Sequence, residues 1–578
     1  MHAPTLSCTG SRWELKHVSP ERVSEIALGT HLSPPAARCL ALRWTGEGIP
    51  GPDWLQPSID HLLEPSTMKN MSTAVERLRK AIDTGQSLRI ITDYDVDGTT
   101  SSLILQAALR ICGPTLKIDY HIPNRFVEGY GFSEIAAKKA VEDGVDLIIT
   151  ADIGVRDHES VNVAVAGGAD VLICDHHLPA GESVPENAIV LCPPQQGCSY
   201  KNPHLAACGV SFKLAQALLH DHPKYSQILH SLLKLAAIGT VADLVPLTTP
   251  ENRAIVSLGL AQLNHGPHTP GLQELIRVCG IHGELNETDL GYRIGPRINA
   301  AGRLEDASLV VELLTCRDPT RARALAERID GLNKDRQAIQ RTVFDEAMQG
   351  VDVESPDPFV VVAGNEADGW HRGVVGIVAS KVKDAVFRPT AIVAIQGEYA
   401  VGSVRSVDGV HAVRALDSVA DLLVKYGGHP AAAGFTVPTD KLEELRTRLS
   451  IYVRENTVLS ELIRIRRVDV ELSPEELTWD LYGELAGLGP FGMKNPRPRL
   501  MLFDVEPKNV ELKASGRLVK FRIPRRTGSW IDAIWWGAAE HIPALKSGKL
   551  KLLGQLSVHT WQGRSSLQFE VSDAMAPS

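Results

Sequence analysis

The chain has 578 residues, more than one hydrophobic core usually serves, so about three or four domains are expected. Apolar residues make up 44% and charged ones 22%, which excludes a disordered, collagenous or coiled-coil chain. With 60 Lys and Arg against 69 Asp and Glu, the net charge is −9, so a polyanionic partner must be held by local basic patches or metal ions.

Residues 1–13 lack the basic-then-apolar pattern of a secretory leader, and no apolar run of about 18 residues occurs. A cytoplasmic chain without membrane association is expected. The nine cysteines include no C-x-x-C pair, so Cys192, Cys198 and Cys208 read as plain thiols rather than a zinc site.

In chain order, residues 1–85 read as helical and Pro-punctuated, ending in an amphipathic helix with Val75, Leu78 and Ile82 on one face. Across 86–315, short apolar runs at 88–92, 116–122, 145–150 and 171–174 alternate with helical patterns at 101–111, 134–141 and 158–165. This alternation predicts a parallel sheet with helices on its faces, and polar residues just past each strand then lie at one carboxyl edge. The charged stretch 316–350 carries Leu325, Ile329, Leu332, Ile339 and Phe344 at mostly helical spacing. A long connecting helix is preferred, although a solvated helix with one buried stripe would read the same. A second, smaller α/β domain is expected over 351–455.

The last segment, 456–578, opens on the helix-start box Ser473-Pro474-Glu475-Glu476 and turns to strands such as 518–523 and 552–559. An OB-type β-barrel with one basic face is predicted. Seven basic residues and one acid lie between Lys508 and Arg526, with Trp530, Trp535, Trp536 and Trp561 nearby. Stacking rings beside a basic groove suit single-stranded nucleic acid; core tryptophans beside a basic turn are the alternative.

The sharpest chemical signal is Asp93-Tyr94-Asp95-Val96-Asp97-Gly98, directly after the first apolar run. Three carboxylates so close repel one another unless a cation neutralises them. An EF-hand loop would need Glu at its twelfth position, which here is Ile104. Asp152 and Asp175-His176-His177 close two further strand runs, and Asp243 follows the apolar helical run 232–241. Imidazole with carboxylates suits Mn²⁺ better than Mg²⁺, and the set is large enough for two ions with one bridging carboxylate. Arg293, Arg297 and Arg303 flank Asn299, while His371-Arg372-Gly373, Ser403-Val404-Arg405 and Gly427-Gly428-His429 add groups suited to phosphate. No P-loop is present.

These acids and histidines, with Gly427-Gly428-His429, resemble the DHH phosphoesterase superfamily with its DHH-associated second domain. Within it the likeness is to the bacterial single-strand-specific DNA exonucleases, carried also by 55–78, 297–303, 370–380 and 490–496. The resemblance implies processive 5′→3′ hydrolysis of single-stranded DNA to mononucleotides with two Mn²⁺ or Mg²⁺ ions, in repair, including mismatch repair, and recombination. By motif, Asp93, Asp95, Asp97, Asp152, His176 and Asp243 would hold the metals. Asp97, Asp152 and His177 would be catalytic, with His177 on the scissile phosphate. Arg297, Asn299, Arg303, His371, Arg372, Ser403, Arg405, Gly428 and His429 would line the DNA path. A monomer working with a helicase and a single-strand-binding protein is implied. Cys192-Pro193-Pro194 departs from the Asn-Pro common in relatives, which puts one contact in doubt. Two rivals remain: a phosphodiesterase for nanoRNA, cyclic dinucleotides or pyrophosphate, and a nucleic-acid scaffold without catalysis. The first usually lacks the barrel, and the second loses ligands that are all present here.

Overall fold

The computed structural model describes residues 6–44, 46–123, 128–129, 131–179, 181, 183–352, 355 and 357–576. The opening of the N-terminal stretch inspected for a leader lies outside them. Among the described residues there are four sheets, one of them only the pair Arg12–Leu15 with Ile465–Val468; the three larger ones organise the chain, each over its own apolar core.

The first sheet has five strands, all parallel, in the spatial order Lys117–His121, Ser87–Thr92, Leu147–Ala151, Asp170–Cys174, Ile189–Leu191. Its central strands are apolar on both faces because helices cover both, so Ile90, Ile91, Ile148, Ile149, Leu172 and Ile173 are all buried. The order reverses between the first strand in sequence and the third, which makes the topological switch point where open α/β sheets place their sites. Thr92, Ala151 and Cys174 are in register across that point. The residues that follow them, Asp93, Asp152 and Asp175, therefore leave the sheet at one level.

The helix Pro319–Gln349 leads from this layer to the next, starting at an Asp318 cap that accepts from the Arg321 N–H. Its early turns (Ala322, Leu325, Ala326, Ile329) pack with the first domain and its late turns (Val343, Ala347) with the second. Between them the buried face is polar: Asp330, Asn333, Arg336 and Gln340. One helix thus serves two cores, as a connector must.

The second sheet runs Lys425–His429, Ala432–Pro438, Tyr399–Arg405, Thr390–Gln396, Val360–Asn365, and only the last pair is parallel. Ser403 and Arg405 lie inside a strand rather than beyond its end. The helix near His371-Arg372-Gly373 begins at Val375, leaving that tripeptide in the preceding loop.

The C-terminal sheet has seven strands, ordered Val470–Leu472, Leu500–Val505, Leu550–Trp561, Arg564–Met575, Trp530–Trp536, Leu518–Pro524, Lys508–Lys513. Val519, Phe521 and Ile523 face its core, together with Trp535. Trp530, Trp536 and Trp561 are more than half exposed, so three of the four tryptophans stand outside. The Ser473 capping box forms, but on a single 3₁₀ turn; the helix proper starts at Trp479, capped by Thr478.

The N-terminal residues supply a strand, Arg12–Leu15, as well as the expected helices. Ile26, Ala36, Ala37, Cys39, Leu40 and Trp54 pack into the C-terminal core, whereas Met71, Ala74, Leu78 and Ala81 pack into the first. Among the described residues no helix is long and apolar enough to cross a membrane.

Candidate metal centre

Local chemistry explains how the Asp93–Gly98 loop is built. Asp95 caps the helix Val96–Cys112, its Oδ1 accepting the N–H groups of Asp97 (2.8 Å) and Gly98 (3.1 Å). A Cβ on Gly98 would stand 2.3 Å from the Asp93 carbonyl oxygen, so only glycine lets the chain turn this tightly. Asp97 is fully buried, and its two oxygens accept the N–H groups of Ala207 (2.7 Å) and Cys208 (2.8 Å) at the start of the helix Ala207–Leu218. A helix N-terminus is a suitable seat for a buried carboxylate. Sequence reading missed these two donors because they are backbone groups of unremarkable residues.

Asp152 adopts a left-handed backbone conformation, with φ of 64°, rare for a residue other than glycine and found where surrounding structure enforces it. Asp243 caps the C-terminus of the helix Tyr225–Ala242. His176 brings them together: its Nε2 lies 3.3 Å from Asp152, 3.6 Å from Asp243 and 3.9 Å from Asp97. Three sets of possible ligand atoms lie within 4.8 Å of one another: Asp93–Asp95–Asp152, Asp97–His176–Asp243, and Asp152–His176–His177. The first two share no residue but adjoin where Asp152 of the first approaches His176 of the second.

Burial and mutual repulsion dominate the electrostatics. Burial raises Asp152 well above the ordinary carboxylate range, reinforced by Asp95, Asp97, Asp93 and Asp243. Asp95 is raised by burial and Asp97. Asp243 is pushed up to about 9 by burial, then by Asp97, Asp95 and Asp175. Burial lowers His176, outweighing the pull of Asp97. His176 Nε2 and Asp243 Oδ2 are buried without a hydrogen-bond partner among the described residues. Orphaned ligand atoms, on carboxylates that burial discourages from ionising and an imidazole that burial keeps in its neutral, metal-binding form, are what a cation would satisfy, and the mixed nitrogen and oxygen donors fit Mn²⁺ or Mg²⁺.

Asp175 does a different job. Its Oδ1 takes the His177 Nδ1 proton (2.8 Å) and the N–H groups of His176 and His177, while Oδ2 takes the Val155 N–H. Burial would raise this carboxyl, but the His177 hydrogen bond and both imidazoles carry it down to about 2. In turn burial acts against a charged His177, yet Asp175 outweighs it and raises the imidazole. The Asp175-His176-His177 run signalled a site without revealing this division of labour.

Beside the carboxylates, between the two α/β domains, lies a cavity of about 530 Å³ lined by Tyr94, Arg303, Arg372, Ser403, Arg405 and Lys425, among others. Arg405 donates to Ser403 Oγ (2.7 Å) and the Val404 carbonyl (2.9 Å), and burial lowers its pKa. Arg303 donates to the Gly373 carbonyl across the domains (3.1 Å). Tyr94 and Lys425 were not foreseen as lining groups.

The remaining expected residues stand outside this cavity. His371 Nδ1 accepts the Gly373 N–H (3.0 Å), and Asn299 is half-buried on the helix Gly295–Leu304. Gly428 and His429 sit on the exposed edge strand, where a Cβ on Gly428 would meet the Ala432 carbonyl at 2.4 Å. Arg297 faces the connecting helix: it pairs with Asp330 (2.9 Å) and donates to the Arg293 and Val278 carbonyls. Cys192 Sγ lies 3.4 Å from the His177 carbonyl.

Comparison with known proteins accords with this geometry. Residues 87–240 match the DHH family, N-terminal domain; residues 357–455 match the DHHA1 domain; residues 468–573 match the RecJ OB domain. The single-stranded-DNA-specific exonuclease RecJ of Bacillus subtilis is 36% identical over 97% of this chain and 70% of its own length. RecJ of Escherichia coli is 33% identical over 93% of this chain and 96% of its own. The crystal structure of Thermus thermophilus RecJ in complex with Mn²⁺ superposes with a TM-score of 0.82 at 29% identity, covering 99% of this chain and 80% of that one. A Mg²⁺ complex of the same protein gives a TM-score of 0.76 at 28% identity, over 98% and 79%. By domain content and by identity over nearly its full length, the chain belongs to the RecJ family.

Proposed function

We propose that this protein is an exonuclease that hydrolyses single-stranded DNA in the 5′→3′ direction to 5′-mononucleotides by two-metal-ion catalysis, in DNA repair and recombination. One observation carries the reading: two ligand sets, one ending in Asp152 and the other with His176 Nε2 3.3 Å from it, beside a cation-lined cavity in a chain of the RecJ family. Asp93 and Asp95 with Asp152 would hold one ion; Asp97, His176 and Asp243 with Asp152 would hold the other. Bound there, paired divalent ions supply a nucleophile at neutral pH and stabilise charge on the reacting phosphoryl group.

The chain's own groups do the rest. Asp175 orients the His177 ring and favours its cationic form, which can bind a non-bridging oxygen of the scissile phosphate. Arg303, Arg372, Ser403 and Arg405, with Lys425, hold the phosphates that follow. Asn299, His371, Gly428 and His429 extend that path. Arg297, committed to Asp330, acts by bracing the helix that carries Asn299 and Arg303. A cavity of about 530 Å³ is on the scale of a ligand pocket rather than a duplex groove, which favours a single strand. On the C-terminal domain, exposed Trp530, with Arg522 4.2 Å over its ring, and exposed Trp536 on the same strand offer stacking faces with positive charge, and Trp561 is a further exposed ring.

Digestion of 5′- and 3′-blocked single strands, with and without Mn²⁺, tests the reading. Mononucleotides released only from a free 5′ end, and only with the ion, are expected. Release from 5′-blocked strands, or in the presence of a chelator, contradicts it.

A further inference from the structure

Asp243 caps the end of its helix, so its placement depends on that helix end and on the loop that leaves it. Asp95 and Asp97 each accept two backbone N–H groups, whereas Asp243 Oδ2 is buried with no hydrogen bond among the described residues. The next residue, Leu244, is two-thirds exposed and held at φ of 60°, a left-handed conformation unfavourable for leucine. Strain of that kind persists only where neighbouring structure enforces it.

The enforcing contacts come a few residues later, and several come from outside the first domain. Asn252 donates to the Pro246 carbonyl (2.9 Å), and Trp54 Nε1 donates to the Thr248 carbonyl (3.1 Å). The Leu247 N–H donates to the Met493 carbonyl of the C-terminal domain (2.9 Å). Leu247 is buried, and a Cβ on Gly492 would stand only 2.7 Å from its Cδ1. Arg253, fully buried, locks the junction. Its guanidinium lies 3.6 Å over the Trp54 ring and donates to the carbonyls of Trp54 (2.9 Å), Leu247 (3.3 Å), Leu488 (3.3 Å) and Gly489. No carboxylate is among its described partners, so carbonyl dipoles and the Trp54 ring balance this charge. Asn495 braces the far side, donating to the Leu488 (3.0 Å) and Pro490 (2.8 Å) carbonyls.

We infer that Arg253 and the C-terminal-domain turn 488–495 are positioning elements of the metal centre. By clamping Leu247 they hold Leu244 in its strained conformation and keep Asp243 aimed at His176. The C-terminal domain thereby sets the affinity of the ion bound by Asp97, His176 and Asp243, besides any part it takes in holding DNA. This inference rests on the metal reading proposed above.

Calorimetric titration of the full chain with Mn²⁺, free of DNA, tests it in Arg253→Lys and Gly492→Val. Lysine keeps the charge but cannot reach four carbonyls with a planar fork. Gly492 is exposed in a turn, so its valine variant is expected to fold even if Arg253→Lys does not, and the added methyl groups push directly on Leu247. The expected result is one class of Mn²⁺ site weakened by about 10- to 100-fold, the usual cost of losing an outer partner of a ligand. Affinity for a long single strand measured in chelator should stay unchanged, which a mere loosening of the domain would not allow. A Mn²⁺ isotherm identical to wild type in folded Gly492→Val overturns the inference. Wild-type protein that binds no Mn²⁺ would instead overturn the metal reading beneath it.

Discussion

Asp175 Oδ1 and His177 Nδ1 stand 2.8 Å apart, and each moves the other's titration in the direction that charges both. The raised His177 contributes stability that is complete below its ordinary 6.5 and is lost as pH rises through the elevated value. The depressed Asp175 contributes stability that is complete above 3.8 and is lost as pH falls toward about 2. The charged pair is therefore whole between these limits. Asp175→Asn should lower kcat by about 10²-fold or more while leaving Mn²⁺ binding in place. Its pH–rate profile should lose the alkaline limb set by His177. Single-turnover kinetics across pH 5–9, with Mn²⁺ calorimetry, would check both parts.

The metal-free centre should lose stability as pH rises. Asp152, Asp95 and Asp243, the last at about 9, bind protons more tightly folded than unfolded. Their contribution to stability therefore falls as pH rises from 3.8 through those elevated values. Divalent ions replace the protons, so the rise in Tm on adding Mn²⁺ should be larger at pH 8.5 than at pH 6. Thermal melts in chelator and in Mn²⁺ at the two pH values measure this.

Arg405 donates only to Ser403 and a carbonyl among the described residues, in a cavity lined by further cations. Arg405→Ala should weaken single-strand binding on the order of tenfold, as loss of a charged hydrogen bond does. It should also flatten the salt dependence of log K by about one phosphate's worth of counterion release. Fluorescence anisotropy across a salt series reads both. Arg297→Ala should leave that slope unchanged, because its guanidinium is spent on Asp330 and two carbonyls.

Gly98→Ala pits helix propensity against geometry. Alanine inside a helix is normally better than glycine by up to about 1 kcal/mol. Here the methyl group would meet the Asp93 carbonyl at 2.3 Å, and backbone cannot step aside cheaply. Net destabilisation of about 1–3 kcal/mol and weakened Mn²⁺ binding are expected, from denaturant melts and calorimetry.

Much of the centre was legible in the sequence because its ligands follow strand ends of one parallel sheet, and period and turn chemistry expose such positions. Thr92, Ala151 and Cys174 align in register, so Asp93, Asp152 and Asp175 had to emerge together. Asp243 could be marked as a helix-end acid, but nothing local reveals that its loop leans on Met493, or that Arg253 reaches from it to Leu488 and Gly489, 235 and 236 residues on. The donors on Asp97 are the N–H groups of Ala207 and Cys208, which every residue but proline carries and no motif encodes. Arg297 shows the converse: its neighbours suit phosphate, yet Asp330, 33 residues on, returns on the connecting helix and claims it. Trp530 and Trp536 point outward by alternation along their shared strand, which turns Trp535 inward.

Anomalous diffraction from crystals grown with Mn²⁺ tests the central claim most directly. Two peaks are predicted, one among Asp93, Asp95 and Asp152 and one among Asp97, Asp152, His176 and Asp243, about 3.5–4 Å apart. A single peak, or a pair whose shell omits Asp152, would contradict the account.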